Sequence, residues 1–295
     1  MLNLKNLFSM GTRNLIDLAA SIIVLYNSKL EDSLTFQALR DSLLYTNNQI
    51  LLIVYDNTIN SQIISDSLRD SFPGTIIYIH DKSNPGVSKA YNEAAKIATS
   101  KQLTWILLFD QDTNFGKDAL SYYLNAILTT NEQIIAPVLR DITESNTYSP
   151  CLYQYKRGFW LKKINYGNSS FKNINFLNSG MCINLNLFNS VGGFNEGIKL
   201  YFSDFDFFAR VYKVRKTYLQ LDYVLIHSME SNTMESTDIS ARRFRIYMKS
   251  VSEVSSFDNL YGKMVYFFWA FLRACKMALI FRDTRFINIF FNYGK

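Results

Sequence analysis

Four short apolar runs, at residues 21–27, 49–55, 75–80 and 103–109, constrain this chain more than any other feature. The fourth, Trp105-Ile106-Leu107-Leu108-Phe109, is apolar without a break, the mark of a strand buried on both faces, as in a parallel sheet. Helical spacing fills the gaps: residues 34–45, a polar stretch at 61–71 that stops before Pro73-Gly74, and residues 87–98 with Ala90, Ala94 and Ala95 on a close-packing face. Strands alternating with helices of this size build βαβ units, so the expected class is α/β with a mostly parallel sheet flanked by helices. At 295 residues the chain fits one large domain with a carboxyl-terminal appendage.

In such a sheet the ligand crevice lies beyond the carboxyl ends of the strands. Here the ends are chemically alike: Tyr26-Asn27, Asp56-Asn57 and Asp110-Gln111-Asp112. Residues i and i+2 of an extended chain point to one side, so Asp110 and Asp112 can face one ligand. Two hard oxygen donors suit Mg2+ or Mn2+ carrying a phosphate, although an acidic, solvated turn accounts equally well for the pair taken alone. Asp56 can accept bonds from a base or ribose, or simply form an Asp-Asn turn. Asn84-Pro85-Gly86-Val87-Ser88 opens a helix whose amides can meet phosphate or be capped locally.

The second half is less regular. Residues 133–139 read as a strand, and 141–175 as a polar and aromatic excursion with Lys156, Arg157, Lys162 and Lys163 but no motif. Asn178-Ser179-Gly180 is a turn into a strand, and Val191-Gly192-Gly193-Phe194-Asn195-Glu196 a loop. Helix-dipole preference accounts for acids at the start of Ser203-Asp204-Phe205-Asp206, but not for their aromatic neighbours. A carboxylate among aromatics is partly desolvated, which makes it a better base near neutral pH. His227 ends a further strand, where a lone histidine is ordinarily structural.

Charged residues make up 19% and hydrophobic residues 48%, enough for a large core; the net charge of +6 favours anionic partners without choosing among them. Nucleic acid is disfavoured, because that excess is small and not gathered on one element. Cys151, Cys182 and Cys275 have neither metal-ligand spacing nor an even count, which suits a reducing compartment. Residues 1–14 lack the apolar core of a signal peptide, and no run reaches the ~18 uninterrupted apolar residues of a spanning helix. A dinucleotide-binding oxidoreductase would need Gly-x-Gly-x-x-Gly after its first strand, and none is present. A nucleotidyltransferase would open with a glycine-rich, arginine-containing loop where this chain has Leu25-Tyr26-Asn27-Ser28.

In order along residues 19–250, these stretches together resemble the family 2 glycosyltransferases of GT-A fold, and within them the rhamnosyltransferase-like enzymes of bacterial surface-polysaccharide assembly. The resemblance implies a catalytic domain over 1–240, with a nucleotide-sugar half at about 19–115 and an acceptor half at about 116–240, and a helical region over 241–295. It implies Asp110 and Asp112 as metal ligands, with His227 completing the site in some members, and Asp204 as the catalytic base. It implies donor contacts from Tyr26, Asn27, Asp56, Asn84, Gly86 and Gln111, and acceptor contacts from Asn178, Ser179, Gly180 and Asp206, the last standing where Glu is more usual. The implied reaction is inverting, metal-dependent transfer from a dTDP-, UDP- or GDP-linked sugar, dTDP-rhamnose first among them, to a saccharide or lipid-linked acceptor of capsule, O-antigen or exopolysaccharide. The implied place is the cytoplasmic face of a bacterial plasma membrane. A UDP-sugar transferase of the same fold (galactofuranose, galactose or glucose) is the alternative. A binding homologue without catalysis would be expected to lack Asp112 or Asp204.

From about residue 238 the chain mixes aromatics and bases: Arg242, Arg243 and Arg245, then Met264-Val265-Tyr266-Phe267-Phe268-Trp269-Ala270-Phe271-Leu272 ahead of Arg273 and Lys276. This pattern fits a helix lying in an anionic membrane interface, or a helix packed on the main domain with its bases solvated.

Overall fold

The computed structural model describes residues 14–143, 145–161, 163–227 and 236–293; the amino-terminal reading for residues 1–13, and Lys162, lie outside the described residues. In chain order the elements are β1 (Ala19–Leu25), α1 (Leu34–Thr46), β2 (Ile50–Asp56), α2 (Asp66–Asp70), β3 (Gly74–His80), α3 (Val87–Ser100), β4 (Trp105–Asp110), β5 (Thr113–Asn114), α4 (Ala119–Thr129), β6 (Ile134–Arg140), β7 (Thr147–Ser149), β8 (Cys151–Gln154), β9 (Arg157–Trp160), β10 (Gly167–Ser170), β11 (Ile174–Asn175), β12 (Cys182–Asn184), α5 (Leu185–Ser190), α6 (Ser203–Val214), β13 (Thr217–His227), α7 (Thr237–Ser256), α8 (Leu260–Phe281) and α9 (Arg285–Asn292).

Strands β3, β2, β1 and β4 are parallel neighbours in that spatial order. Beyond β4 the short β12 runs antiparallel to both β4 and β6, β13 lies parallel to β6, and β10 closes the edge antiparallel to β13. The sheet is therefore mixed. All seven residues of β1 and of β2 are buried. Their two-residue period explains why: Ile23, Leu25, Leu52, Val54, Leu107 and Phe109 meet Phe36 and Leu39 of α1 and Leu120 of α4 on one face. Ile22, Val24, Ile53, Ile106 and Leu108 meet Ala90, Ala94, Ala95 and Ala98 of α3, with Phe207 and Phe208 of α6, on the other. The alanines let α3 lie close to the sheet.

The 141–175 excursion is more ordered than its sequence suggested. It holds a three-stranded antiparallel sheet, β11-β8-β9, while β7 pairs with β6 and β10 with β13. No periodicity marked these strands because they are two to four residues long.

Helices α7, α8 and α9 form a third cluster, in which Phe244, Met248, Val251, Tyr266, Ala270, Ala274 and Phe286 pack together with Ile198 of the main body. Lys156 pairs with Asp258, and the Trp269 indole donates to the Tyr155 carbonyl (2.9 Å), so the small sheet is tied to α8 as well. One side of the carboxyl-terminal region is thus packed on the domain. No apolar run in α8 is unbroken over 18 residues, yet with 22 residues the helix is long and apolar enough by length and composition to cross a membrane. Phe286 is wholly buried against Phe244 and Phe281. Phe286→Ala should cost about 3–5 kcal/mol in urea unfolding; a loss below ~1 kcal/mol would mean that this cluster does not share the domain's cooperative transition.

Candidate active site

The site is built on the turn that follows β4. The Ser33 hydroxyl donates to the Gln111 carbonyl (2.8 Å). The Thr35 hydroxyl lies 2.5 Å from the Asp110 carbonyl and accepts from the Thr113 N–H (2.9 Å). Both residues stand at the amino end of α1, so the helix start clamps the whole 110–113 turn. The Gln111 amide pairs with the Tyr26 backbone, accepting from its N–H (2.8 Å) and donating to its carbonyl (3.3 Å). Gln111 thereby ties the ends of β4 and β1 together.

Pairing of β5 with β13 sets Thr113 opposite His227. The imidazole Nδ1 lies 3.0 Å from the Thr113 hydroxyl and 3.4 Å from Asp112 Oδ1. Ligand atoms of Asp110, Asp112 and His227 all fall within 4.8 Å of one another. Two carboxylate oxygens and one imidazole nitrogen, partly buried and converging on one point, fit a divalent cation of the Mn2+ or Mg2+ kind.

Tyr91, on the buried face of α3, donates its hydroxyl to Asp110 Oδ1 (3.0 Å). Burial, then the negative charges of Asp110, Asp204 and Asp112, push its pKa well above the ordinary value. Three carboxylates thus lie within electrostatic reach of one buried phenol. Asp204 opens α6, with the Phe205 N–H donating to its Oδ1 (2.8 Å). Desolvation first, then the charge of Asp110, push the Asp204 carboxyl up to about 7, against the opposing bond from Phe205. The residue keeps some surface exposure, but protein surrounds its carboxyl densely. Cys151 of β8 is pushed to about 12 by burial and by Asp204, so the small sheet forms one wall beside that acid. Tyr153 packs on Phe205 (4.9 Å), and Phe202, left-handed at φ 70°, sits between Tyr247 of α7 (5.6 Å) and Tyr266 of α8 (5.4 Å).

Other expected residues are placed differently from their expected roles. Asp56 ends β2 but is wholly buried, with Oδ1 accepting from Thr58 N–H (2.9 Å) and Oδ2 from Gln62 (2.8 Å) and Tyr78 (2.8 Å). An open acceptor for a base is not what this arrangement offers; Asp56 braces the strand-end loop instead. Asp206 is held by Arg210, through Nε (3.0 Å) and Nη2 (2.9 Å), and Arg210 also donates to the Val191 carbonyl (2.6 Å). Asp206 thereby anchors α6 to the glycine loop rather than standing free for an acceptor. Ser179 is spent on the Asp110 N–H (3.1 Å) and the Thr113 hydroxyl (2.6 Å), and the Gly180 N–H on Leu108 O (2.7 Å), while Asn178 is buried beside them. The three support the β4 end from beneath.

The amino end of α3 is covered. Val87 N–H donates to Lys199 O (2.9 Å) and the Ser88 hydroxyl to Ile198 O (2.5 Å), so Val87 has no amide left for phosphate. Gly86 is required at this contact, since a Cβ there would meet Lys199 O at 2.1 Å. Asn84 stays exposed in the left-handed region, and Tyr26 and Asn27 are exposed at the end of β1, open to a ligand. Sequence reasoning assigned no role to Tyr91, Thr113 or Thr35. Tyr91 had a signal: it shares one helix face with Ala94, Ala95 and Ala98, and a buried phenol needs a partner.

The profile of glycosyl transferase family 2 matches residues 21–191, more than half of the chain. The chain belongs to this family. Among curated proteins it is 29% identical over 136 residues to an uncharacterized glycosyltransferase, R363, of Acanthamoeba polyphaga mimivirus, covering 42% of this chain and 52% of that one. It is 27% identical over 195 residues to the dTDP-rhamnosyl transferase RfbF of Shigella flexneri, covering 64% and 62%. The matches therefore span about half to three-fifths of these relatives. Solved structures confirm the GT-A-like fold: GalNAc-T7 with UDP, GalNAc and Mn2+ superposes with TM-score 0.58 at 11% identity over 93% of this chain and 56% of that one. S. aureus TarS 1-349 in complex with UDP-GlcNAc does so with 0.53 at 16% identity, over 91% and 72%.

The bonds from Thr58, Gln62 and Tyr78 overcome burial and hold the Asp56 carboxyl below its ordinary value. A depressed carboxylate stabilises the fold above its unfolded pKa and loses that contribution as pH falls through its folded value. Tyr78→Phe should therefore cost about 1–3 kcal/mol at pH 7 in denaturant titration, with the difference shrinking in acid; a gap independent of pH would remove Asp56 as its cause.

Proposed function

We propose that this family 2 protein transfers a sugar from a nucleotide-sugar donor to an acceptor hydroxyl in one inverting displacement. One observation carries the reading: an acid raised to about 7, Asp204, lies within electrostatic reach of Asp110 in the Asp110–Asp112–His227 group. The donor lies against the exposed end of β1, at Tyr26 and Asn27, with its diphosphate towards Asp110 and Asp112. A divalent cation bound by Asp110, Asp112 and His227 would supply charge neutralisation to the departing diphosphate. Asp204 accepts the acceptor's proton as its oxygen attacks the anomeric carbon, and the nucleoside diphosphate leaves from the opposite face. A single displacement needs no protein nucleophile, so one base is sufficient. Tyr91 keeps Asp110 oriented by donating to it.

The donor we favour is dTDP-rhamnose, supported by the likeness to RfbF. A UDP-sugar is the second reading, favoured by neighbours of this fold that hold UDP-GlcNAc or UDP with GalNAc. The acceptor we infer is a saccharide or lipid-linked sugar of a surface polysaccharide, met at the cytoplasmic face of a bacterial plasma membrane; the apolar, basic carboxyl-terminal helices support that placing.

Asp204→Asn should lower turnover by at least ~10²–10⁴-fold while donor affinity in calorimetry stays within a factor of about three; equal loss of both would reject Asp204 as the base. In the active enzyme kcat/KM should rise with pH as Asp204 loses its proton. That limb should move below about 7 as added Mn2+ offsets the charge of Asp110, and Asp204→Asn should lack it. Asp112→Ala should abolish Mn2+-dependent donor binding, read by calorimetry without turnover; unchanged affinity would reject the metal assignment.

A further inference from the structure

Helices α7 and α9 flank an open surface cavity of about 570 Å³, lined by the exposed Arg245, Lys249, Arg285, Asn288, Asn292 and Tyr293 and the buried Ile289. Arg245 and Lys249 are one helical turn apart, so both side chains reach the same groove. Arg285 enters from α9, held by Asp238 (2.6 Å) and Asp283 (2.6 Å). Among the described residues no carboxylate lies within ion-pair distance of Arg245 or Lys249, and none lines the cavity. Like charges gathered along one open groove repel one another and together attract whatever anion enters. Arginine and lysine with two side-chain amides form a donor set matched to phosphate oxygens.

The apolar surroundings say which phosphate. Tyr293 packs at a tilt against Phe267 of α8 (5.3 Å) and Phe290 against Phe271 (5.4 Å), so the cavity lining contacts α8. On α8 the residues Tyr261, Met264, Phe268, Leu272 and Leu279 recur at helical spacing and are all exposed, Leu279 by 80%. A helix apolar on its solvent side as well as its packed side is out of place in water. Lys276 lies beside the stripe, and Arg282 caps the helix at its end. Residues 237–293 hold nine basic and four acidic side chains, five of the chain's net six positive charges. That excess is spread over α7, α8 and α9 rather than gathered on one element. Bases beside an apolar stripe suit the interface of an anionic bilayer, where a nucleic acid would leave the aliphatic side chains uncovered.

We propose that the α7–α9 cavity binds the phosphate headgroup of an anionic lipid while the exposed stripe of α8 enters the bilayer interface. This deepens the membrane-side placing above and rests on it, but not on the donor or the base. The test is vesicle co-sedimentation of the full chain with phosphatidylcholine alone, with phosphatidylcholine carrying about 30% phosphatidylglycerol, and with soluble glycerophosphate as competitor. Binding to the anionic vesicles only is expected, falling roughly thirtyfold in Arg245→Gln/Lys249→Gln and retained in Arg245→Lys/Lys249→Arg, with thermal melting checking that each variant is folded. Undiminished binding by the folded glutamine variant overturns the headgroup site, and so does equal binding to neutral vesicles. Binding of glycerophosphate or of a duplex oligonucleotide without vesicle binding overturns the lipid assignment. Loss of vesicle binding by the intact protein alone, with Mn2+-dependent donor binding kept, overturns this proposal and leaves sugar transfer standing.

Discussion

Three carboxylates, Asp110, Asp112 and Asp204, share one partly dehydrated cleft, and much of the molecule is arranged to tolerate that. Like charges at close range with little water between them oppose folding. The fold offsets the cost locally. Tyr91 donates to Asp110, His227 stands beside Asp112, and Asp204 is left to take up its proton near neutrality. The turn carrying the first two acids is held from three directions, by α1, by Ser179 and by β13. Without that clamp, mutual repulsion would splay the turn; with it, the charges stay close enough to hold a cation and to keep Asp204 protonatable.

The third hydrophobic cluster bears on the same cleft. Phe202 precedes Asp204 by two residues and is lodged between aromatics of α7 and α8, while Tyr153 of the small sheet packs on Phe205. The backbone at Phe202 is in the left-handed region, which a phenylalanine adopts only when its surroundings hold it there. The carboxyl-terminal helices therefore do more than cover apolar surface. They fix the entry into α6 and so the direction in which the Asp204 carboxyl points. Whatever presses on α7 and α8 from outside is one aromatic layer from the proposed base.

The parallel core was legible because its strands carry unbroken apolar runs and its helices carry alanine or leucine faces, both local signals. The acidic ends at positions 110, 112 and 204 were legible for the same reason: charge at the end of an apolar run stands out. What could not be read was partnership. Nothing local distinguishes Asp56, closed off by Tyr78 and Gln62, from an aspartate open to a base. Asp206 looks like a site acid until Arg210, one turn on, takes it. The covering of the α3 amino end by Lys199 joins residues more than a hundred positions apart. The short strands of the excursion are fixed by tertiary pairing rather than by period, and the length and apolarity of α8 escape a search for unbroken runs because Lys263, Arg273 and Lys276 interrupt it.

Charge separation gives the folded chain a direction. The nine bases and four acids of residues 237–293 leave the remainder almost neutral, and within that remainder Asp110, Asp112 and Asp204 are gathered around Tyr91. A body so divided, with an apolar stripe along its positive side, experiences a torque near any anionic surface: the basic helices turn towards it and the acidic cleft turns away or stays at the edge. A nucleoside diphosphate carries the opposite preference, repelled by that surface and drawn to a cation-loaded cleft. On the proposal above, two anions would thus be sorted to separate places by one arrangement of charge, with α7 and α8 reaching from the basic side to Phe202, two residues before Asp204.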